Sequence, residues 1–112
     1  MANKLYAMEL LTEEVAKDVA ANPQEWMRFL NTASRLYKYT FPEQLLIYAQ
    51  RPEATAVASM EIWNQKMYRW IKKGSKGIAL IDNTSGPKTK LRYVFDVQDT
   101  YKVRNLGKDP QL

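Results

Sequence analysis

Apolar side chains recur every three or four residues along the first half of the chain, which is the spacing of helices with one buried face. Leu11, Val15 and Val19 repeat at intervals of four residues. Thr12 and the two glutamates that follow it are typical of a helix N-terminus, where a hydroxyl caps and acidic side chains are favourable. The pattern predicts a first helix that begins at Thr12, ends near Ala21 and buries this stripe.

The N-terminus of a second helix carries the strongest local signal in the chain. Asn22 is a favoured capping residue, Pro23 fits the first helical position, and Glu25 stands where its side chain can reach back to the cap. The apolar residues that follow keep the helical spacing and are expected on one buried face. They are Trp26, Phe29, Leu30, Ala33, Leu36 and Tyr37.

A third helix is predicted from Pro42 to about Gln50, because proline disfavours helical geometry at the residue before it and so separates this segment from the second helix. Residues Ala54 to Ala58 suit either a short strand or an extended link. Ser59 is then a capping residue for a short helix that carries Trp63.

After this short helix the pattern changes to that of strands. Three short segments rich in β-branched and aromatic residues alternate with clusters of Gly, Ser, Asn and Pro. They are Tyr68 to Lys73, Gly77 to Asp82 and Leu91 to Val97. Helices followed by short antiparallel strands make an α+β fold, in which N-terminal helices pack on a small antiparallel β-sheet with a Lys-rich hairpin. Four side chains are expected to be buried between the two layers: Trp26, Phe29, Leu46 and Trp63.

The domain organisation follows from the same pattern. Residues 1–100 are expected to form a single domain, which suits a chain of 112 residues with 46% hydrophobic content. Residues 101–112 offer few side chains to bury, so they are expected to be a connector or tail that leads to further domains of a longer natural chain.

Composition narrows the possible chemistry. The sequence has no Cys and no His, which removes thiol nucleophiles, imidazole bases and zinc sites built from these ligands. We therefore expect no enzyme activity, no cofactor, no metal and no small-molecule substrate. No apolar segment approaches the length of a membrane span, and the first residues lack the apolar stretch of a signal peptide. A cytoplasmic protein without a membrane partner is expected.

A catalytic alternative depends on carboxylates. Asp82, Asp96 and Asp99 are candidate ligands for Mg²⁺ in a nuclease-like site, with Lys90 or Lys102 nearby. Their spacing matches no nuclease motif, and the segment from Asp82 to Pro87 is better interpreted as a turn at the end of a strand.

Positive charge is concentrated in the second half of the chain. Up to Ile62 there are six Lys or Arg against eight Asp or Glu, a net charge of −2, whereas Trp63 to Leu112 holds eleven against four, a net charge of +7. This asymmetry favours a surface that attracts an anionic polymer, and nucleic acid is the leading candidate.

The segment Lys73-Gly74-Ser75-Lys76 predicts a two-residue hairpin turn of type II′. Like charges that face each other across strands are destabilising, so a cluster of lysines at this turn favours binding to a polyanion. The competing interpretation is that these lysines are solvated and protect the hairpin tip from aggregation. The predicted register opposes Lys73 with Lys76, Ile71 with Ile78, and Trp70 with Ala79.

The expected nucleic-acid-binding surface combines cations, which meet phosphates, with aromatic rings, which stack on bases. Trp70 is open to two roles, a core residue or a stacking platform, and the need of a small domain for aromatic core favours burial. The expected site comprises Lys66, Arg69, Lys72, Lys73, Lys76 and Arg92, the rings of Tyr68 and Tyr93, and Arg35 and Lys38 on the second helix.

Several segments together resemble the N-terminal domain of ArdC-like antirestriction proteins. Members of that family typically show an early Trp-bearing helix, a helix with paired leucines, a second Trp-bearing helix and a strand that enters a Lys-Gly-x-Lys-Gly turn. The resemblance spans about Asn22 to Val97. The matching segments here are Trp26-Met27-Arg28-Phe29-Leu30, Phe41-Pro42-Glu43-Gln44-Leu45-Leu46-Ile47-Tyr48-Ala49-Gln50, Ser59 with Trp63, and Trp70-Ile71-Lys72-Lys73-Gly74-Ser75-Lys76-Gly77-Ile78.

The resemblance implies a non-sequence-specific single-stranded DNA-binding module of a mobile genetic element such as a conjugative transposon, with a role in antirestriction or conjugation. ArdC-type proteins often continue into a metallopeptidase-like domain with a His-Glu-x-x-His motif, and this sequence has no histidine, so hydrolytic activity is not implied. Many relatives carry Glu where this chain has Ser75, which makes the turn more basic. The alternative is a protein-interaction module that occludes a host defence protein.

Overall fold

In the part of the chain that the structure describes, four helices and the first four strands follow one another in the predicted order, and one further strand follows that was not predicted. The computed structural model describes residues 4–82 and 89–102, and this part of the chain has the expected α+β architecture of helices packed on antiparallel strands. The helices are α1 (Lys4–Ala21), α2 (Pro23–Ala33), α3 (Phe41–Gln50) and α4 (Met60–Gln65). The strands are β1 (Val57–Ala58), β2 (Arg69–Ile71), β3 (Ile78–Asp82), β4 (Lys90–Asp96) and β5 (Thr100–Lys102), with a 3₁₀ turn at Val97–Asp99 between the last two.

Helix α1 begins eight residues before the predicted cap at Thr12. Val15 and Val19 are buried as expected and Leu11 is half-buried, but Met8 also packs on the core. The helix extends to Lys4 because this additional contact stabilises its first turns. Thr12 lies inside the helix, where its hydroxyl donates to the Met8 carbonyl and does not accept from free N–H groups at a helix N-terminus.

The start of α2 has the predicted cap. The Asn22 side chain accepts hydrogen bonds from the backbone N–H groups of Gln24 and Glu25, and Pro23 occupies the first turn. The Glu25 carboxylate turns to Arg28 and to the Tyr48 hydroxyl, and these two hydrogen bonds lower the pKa of Glu25. The predicted cap is therefore correct for Asn22, while Glu25 ties α2 to α3.

The predicted buried stripe of α2 is only partly correct. Phe29 and Ala33 are buried, but Trp26 is 38% exposed and Leu30 is also exposed. Successive helical residues lie about 100° apart, so a core that centres on Phe29 leaves Leu30 at its edge. The helix ends at Ala33, and the following turns bury Leu36 while Tyr37 remains exposed, which corrects the expectation for that residue.

Helix α3 supplies the centre of the core. Thr40 and Glu43 form a reciprocal capping box at its start, and Leu45, Leu46 and Ile47 are all buried. Leu46 and Ile47 pack in one cluster with side chains of β3 and β4, and Leu45 packs in a second cluster with α1 and α2. The adjacent α3 side chains thus join the helices to the sheet.

The larger sheet has three antiparallel strands in the order β1, β4, β3. Ile78 and Leu80 of β3 and Val94 of β4 are fully buried against the helices. The side-chain amide of Gln50 on α3 accepts a hydrogen bond from the Ala79 N–H and donates one to the Ala79 carbonyl. These two bonds pair backbone groups on the edge of β3 that faces away from β4. The segment predicted as a strand or a link contains β1 at its end, where the Tyr39 hydroxyl donates to the Val57 carbonyl.

The predicted hairpin register is wrong, because β2 does not pair with β3. Strand β2 pairs with β5 in a separate two-stranded sheet, whereas β3 pairs with β4. A turn does form over Lys72 to Ser75, and it is closed by the Ser75 N–H, which donates to the Lys72 carbonyl. Gly74 occupies its third position with a φ of 86°, as a type II turn requires. The chain changes sheets here because Ile78 and Leu80 enter the core while Trp70 stays at the surface.

Strand β5 also revises the predicted start of the connector at residue 101. Tyr101 and Lys102 belong to the fold, since they pair with Trp70 and Arg69. The remainder of the predicted connector and most of the predicted turn after Asp82 lie outside the described residues. Within the described ranges, no helix combines the length and apolar content that crossing a bilayer requires.

Candidate nucleic-acid interface

The turn between β2 and β3 is a compact group of positive charges, here called the basic turn (Lys72 to Lys76). Lys72, Lys73 and Lys76 are all exposed, and the glycine at its third position lets the backbone reverse without strain. No carboxylate of the described residues lies within ion-pair distance of these three lysines. The turn therefore presents ammonium groups that the described part of the fold does not neutralise.

Two aromatic side chains stand beside the basic turn on the two-stranded sheet, here called the aromatic ribbon (Trp70 and Tyr101). They are directly opposite each other across β2 and β5 and are 45% and 49% exposed. The favoured expectation that Trp70 is a core residue is therefore wrong. The small core is filled by Phe29 and Trp63 instead.

Hydrogen bonds hold the ribbon in place. The Arg69 guanidinium donates to the Thr100 hydroxyl and carbonyl, and that hydroxyl donates to the Val97 carbonyl. Arg51 of the helical layer pairs with Asp99, and this hydrogen bond raises the pKa of Arg51. Arg69 was expected at the binding surface, and its charged group supports the ribbon from within the sheet.

Tyr68 enters the ribbon in a rarely adopted backbone conformation. Its φ of 57° lies in the left-handed region, where a side chain with a Cβ costs about 1–2 kcal/mol. The side chain is exposed, so packing of the ring does not account for the strain. Such residues often occur at functional sites.

Tyr93 lies at the other end of the basic turn. A Cβ on Gly77, the residue before β3, would meet the Tyr93 Cβ at 3.0 Å, so glycine allows the backbone to pass close to this side chain. The ring is exposed, and the Lys4 ammonium lies 5.2 Å from its centroid. Tyr93 is therefore close to Gly77, which directly follows Lys76. Lys4 adds a cation at this position that was not expected from the sequence.

The other expected cations occupy different positions. The Arg92 guanidinium pairs with Glu43 at 2.7 Å, and Arg35 donates to the backbone carbonyls of Ala54 and Asn31. Lys38 is exposed and lines a small cavity of about 280 Å³ together with Arg35 and Met67, which places it beside the end of α4. Lys66 is the exposed C-terminal cap of α4. The guanidinium groups thus have structural partners, while the lysines remain exposed.

The carboxylates of the catalytic alternative have structural roles. Asp96 is buried and accepts hydrogen bonds from the backbone N–H groups of Thr55, Ala56 and Gln98, and Asp99 pairs with Arg51. Asp82 lies opposite Lys90 at the end of the larger sheet. Residues 4–82 and 89–102 contain no group of three or more acidic side chains arranged to hold a metal ion.

A cavity of about 820 Å³ lies between α1, the start of α3 and the end of the larger sheet. Its wall combines apolar side chains with the carboxylates of Glu9, Glu13, Glu43 and Asp82 and the paired Arg92. The excess of negative groups there does not favour a polyanion, so the basic turn is the better site for one.

A separate exposed surface lies on α2 and the start of α3, here called the uncharged face (Trp26, Met27, Leu30 and Phe41). All four side chains are exposed, Met27 by 64%. The rings of Trp26 and Phe41 contact the buried Phe29 at centroid distances of 5.6 and 5.7 Å. This face is anchored to the core and is apolar toward solvent.

Sequence reasoning missed Tyr101 and Lys102 because they were assigned to the connector. The β-branched Thr100 and the aromatic Tyr101 were the available signal, since both residue types favour strands. Comparison of the whole chain with protein-family models, curated proteins and solved structures finds no match. The resemblance to the ArdC-like domain therefore remains an expectation that rests on the sequence motifs.

Proposed function

We propose that this chain is a non-sequence-specific single-stranded DNA-binding module of a mobile genetic element, acting in the cytoplasm in antirestriction or conjugation. The observation that carries the proposal is the adjacency of the basic turn to the aromatic ribbon. Exposed ammonium groups beside exposed rings are the usual components of a single-strand binding surface. The ArdC-like motifs supply the biological setting.

The charge distribution supports a phosphate ligand. Within the described residues the ion pairs belong to Arg28, Arg51 and Arg92, each of which stabilises contacts within the helical layer or between it and the strands. The lysines of the basic turn instead repel one another, and folding gives no reason to cluster them. Phosphates would neutralise them and release condensed counterions, which favours binding without recognition of sequence.

The first test is the salt dependence of affinity for a fluorescein-labelled oligo(dT), followed by anisotropy. With three to five phosphate contacts, log affinity is expected to fall against log salt with a slope of roughly −2 to −3.5, at about 0.7 per phosphate for single strands. Oligonucleotides of mixed sequence are expected to bind with similar affinity. An absence of binding at low salt, or an affinity that salt does not change, would overturn the proposal.

The second test reverses the charges of the basic turn. Replacing Lys72, Lys73 and Lys76 together by Glu is expected to abolish binding, while the melting temperature changes little because these exposed side chains have no ion-pair partner among the described residues. The single substitutions Lys73→Glu and Lys17→Glu form a matched control, since both change the net charge equally and both lysines are exposed. Equal losses in the two single variants would show that only the total charge matters.

A second candidate function is a protein-interaction module that occludes a host defence protein, and the uncharged face favours it. Contiguous exposed apolar side chains frequently mark protein-binding surfaces. The test compares Met27→Lys combined with Leu30→Lys against the charge-reversed basic turn, in an assay of plasmid protection from host restriction. Loss of protection through the uncharged face alone would favour this candidate over DNA binding.

A further inference from the structure

We infer that Trp70 and Tyr101 form a two-ring platform that stacks on unpaired bases and makes the site prefer a single strand over a duplex. The inference rests on the proposed function, because it concerns the same surface. In this arrangement the lysines contact the phosphates, and the two rings contact the bases.

The geometry of the ribbon places both rings on one surface. Residues directly opposite each other in an antiparallel pair extend from the same face, with Cβ atoms about 5 Å apart. Trp70 and Tyr101 each expose close to half of their side-chain area on this face. Two half-exposed aromatic side chains therefore lie next to each other on one face of the two-stranded sheet.

One cation of the basic turn, Lys72, lies on the same side of the two-stranded sheet as the two rings. Lys72 follows Trp70 by two residues, and pairing continues to this position because its N–H donates to the Asp99 carbonyl. Side chains two residues apart along a strand share a face. An ammonium group therefore stands at the edge of the ring surface, where the phosphate next to a stacked base would lie.

Hydrogen bonds on the opposite face join the two strands that carry the rings. Arg69 and Thr100 are bonded to each other beneath the rings, and both residues face away from Trp70 and Tyr101 in the strand alternation. A base within a duplex has both faces covered by its neighbours, so only unpaired bases can use these rings.

The test measures the affinity of the full chain for three probes with equal phosphate number: oligo(dT), an abasic oligonucleotide and a duplex of mixed sequence. Oligo(dT) is expected to bind more tightly than the abasic probe. Trp70→Ala and Tyr101→Ala are each expected to weaken oligo(dT) binding by between about 5-fold and 150-fold, the range for loss of one stacked base. Neither substitution is expected to change affinity for the abasic probe.

Trp26→Ala is the matched control, because Trp26 is also exposed but lies on the uncharged face. It is expected to leave binding unchanged. A fluorescence measurement complements the affinities: quenching of tryptophan emission by oligo(dT) is expected to persist in Trp26→Phe and to disappear in Trp70→Phe. Circular dichroism of each variant verifies folding, and Trp70→Phe, which retains a ring, serves as the reference should Trp70→Ala unfold.

The outcomes separate the inference from the proposed function. If oligo(dT) does not bind at low salt, the proposed function fails. If oligo(dT) and the abasic probe bind equally and the Trp70 and Tyr101 variants match the parent, the stacking platform is overturned while phosphate binding by the basic turn stands. Tighter binding to the duplex than to oligo(dT) would also overturn the preference for unpaired bases.

Discussion

Tryptophan and cationic side chains have different surroundings in two regions of the molecule. One region is the helical layer with the larger sheet, and the other is the two-stranded sheet of β2 and β5 with the basic turn. In the first region Trp63 is 3% exposed and its indole N–H donates to the Phe95 carbonyl, and Arg51 and Arg92 have carboxylate partners. In the ribbon and its turn, Trp70 and the lysines face solvent. Burial and ion pairing explain the placement of Trp63, Arg51 and Arg92, whereas Trp70 and the lysines of the basic turn are exposed and have no carboxylate partner among the described residues.

The largest effect expected from this contrast lies between the two tryptophans. Trp63→Ala is expected to lower the free energy of unfolding by about 3–5 kcal/mol, because it leaves a cavity and an unpaired carbonyl. Trp70→Ala is expected to cost only about 1 kcal/mol, the loss of a half-buried ring and a cross-strand contact. Urea denaturation of both variants measures the difference, and equal costs would show that the ribbon is part of the core.

A smaller effect is expected at Asp96, the buried carboxylate that joins β4 to the segment before β1. Asp96→Ala is expected to cost about 3 kcal/mol, because three backbone N–H groups lose their acceptor in a buried site. Asp96→Asn retains one oxygen acceptor and is expected to cost less. The same denaturation measurement applies, and a neutral Asp96→Ala variant would contradict the structural role and reopen the catalytic alternative.

The smallest effect is expected at Tyr68, where the ribbon begins. Tyr68→Gly relieves the left-handed strain but adds chain freedom to the unfolded state, so the free energy of unfolding is expected to change by less than about 1 kcal/mol. Tyr101→Gly is the control in the paired strand and is expected to be destabilising, because glycine weakens strands. A marked loss of stability in Tyr68→Gly would mean that the ring packs on the fold.

Local chemistry predicted several elements well. The cap at Asn22, the third helix, the cap at Ser59 and the burial of Phe29, Leu46 and Trp63 all follow from spacing and capping rules, and the structure has each of them. These features depend on residues that are near one another in sequence. The same reasoning placed the lysines of the turn at the surface, because burying three neighbouring like charges without partners would cost too much desolvation energy.

The errors share a different origin. Trp26 and Leu30 were expected in the core because helical periodicity identifies an apolar face without saying how much of it a neighbour covers. Trp70 was expected in the core because a small domain needs aromatic side chains there, and the partner of its strand was taken to be β3. Tyr101 lies thirty-one residues after Trp70 in the sequence. No local pattern identified it as the residue opposite Trp70.

The sequence by itself determined the order of the helices and of the strand segments up to β4, the main capping sites and the concentration of positive charge after Ile62. Only the tertiary structure decided which strands pair and so which aromatic side chains remain in solvent. The reason is physical: a turn such as Lys72 to Ser75 closes through a local hydrogen bond, but strand pairing depends on which distant segment buries the better face. Ile78 and Leu80 are buried against β4 and the helices, so β3 pairs with β4. Strand β2 pairs with β5 instead, and this pairing leaves Trp70 exposed beside Tyr101.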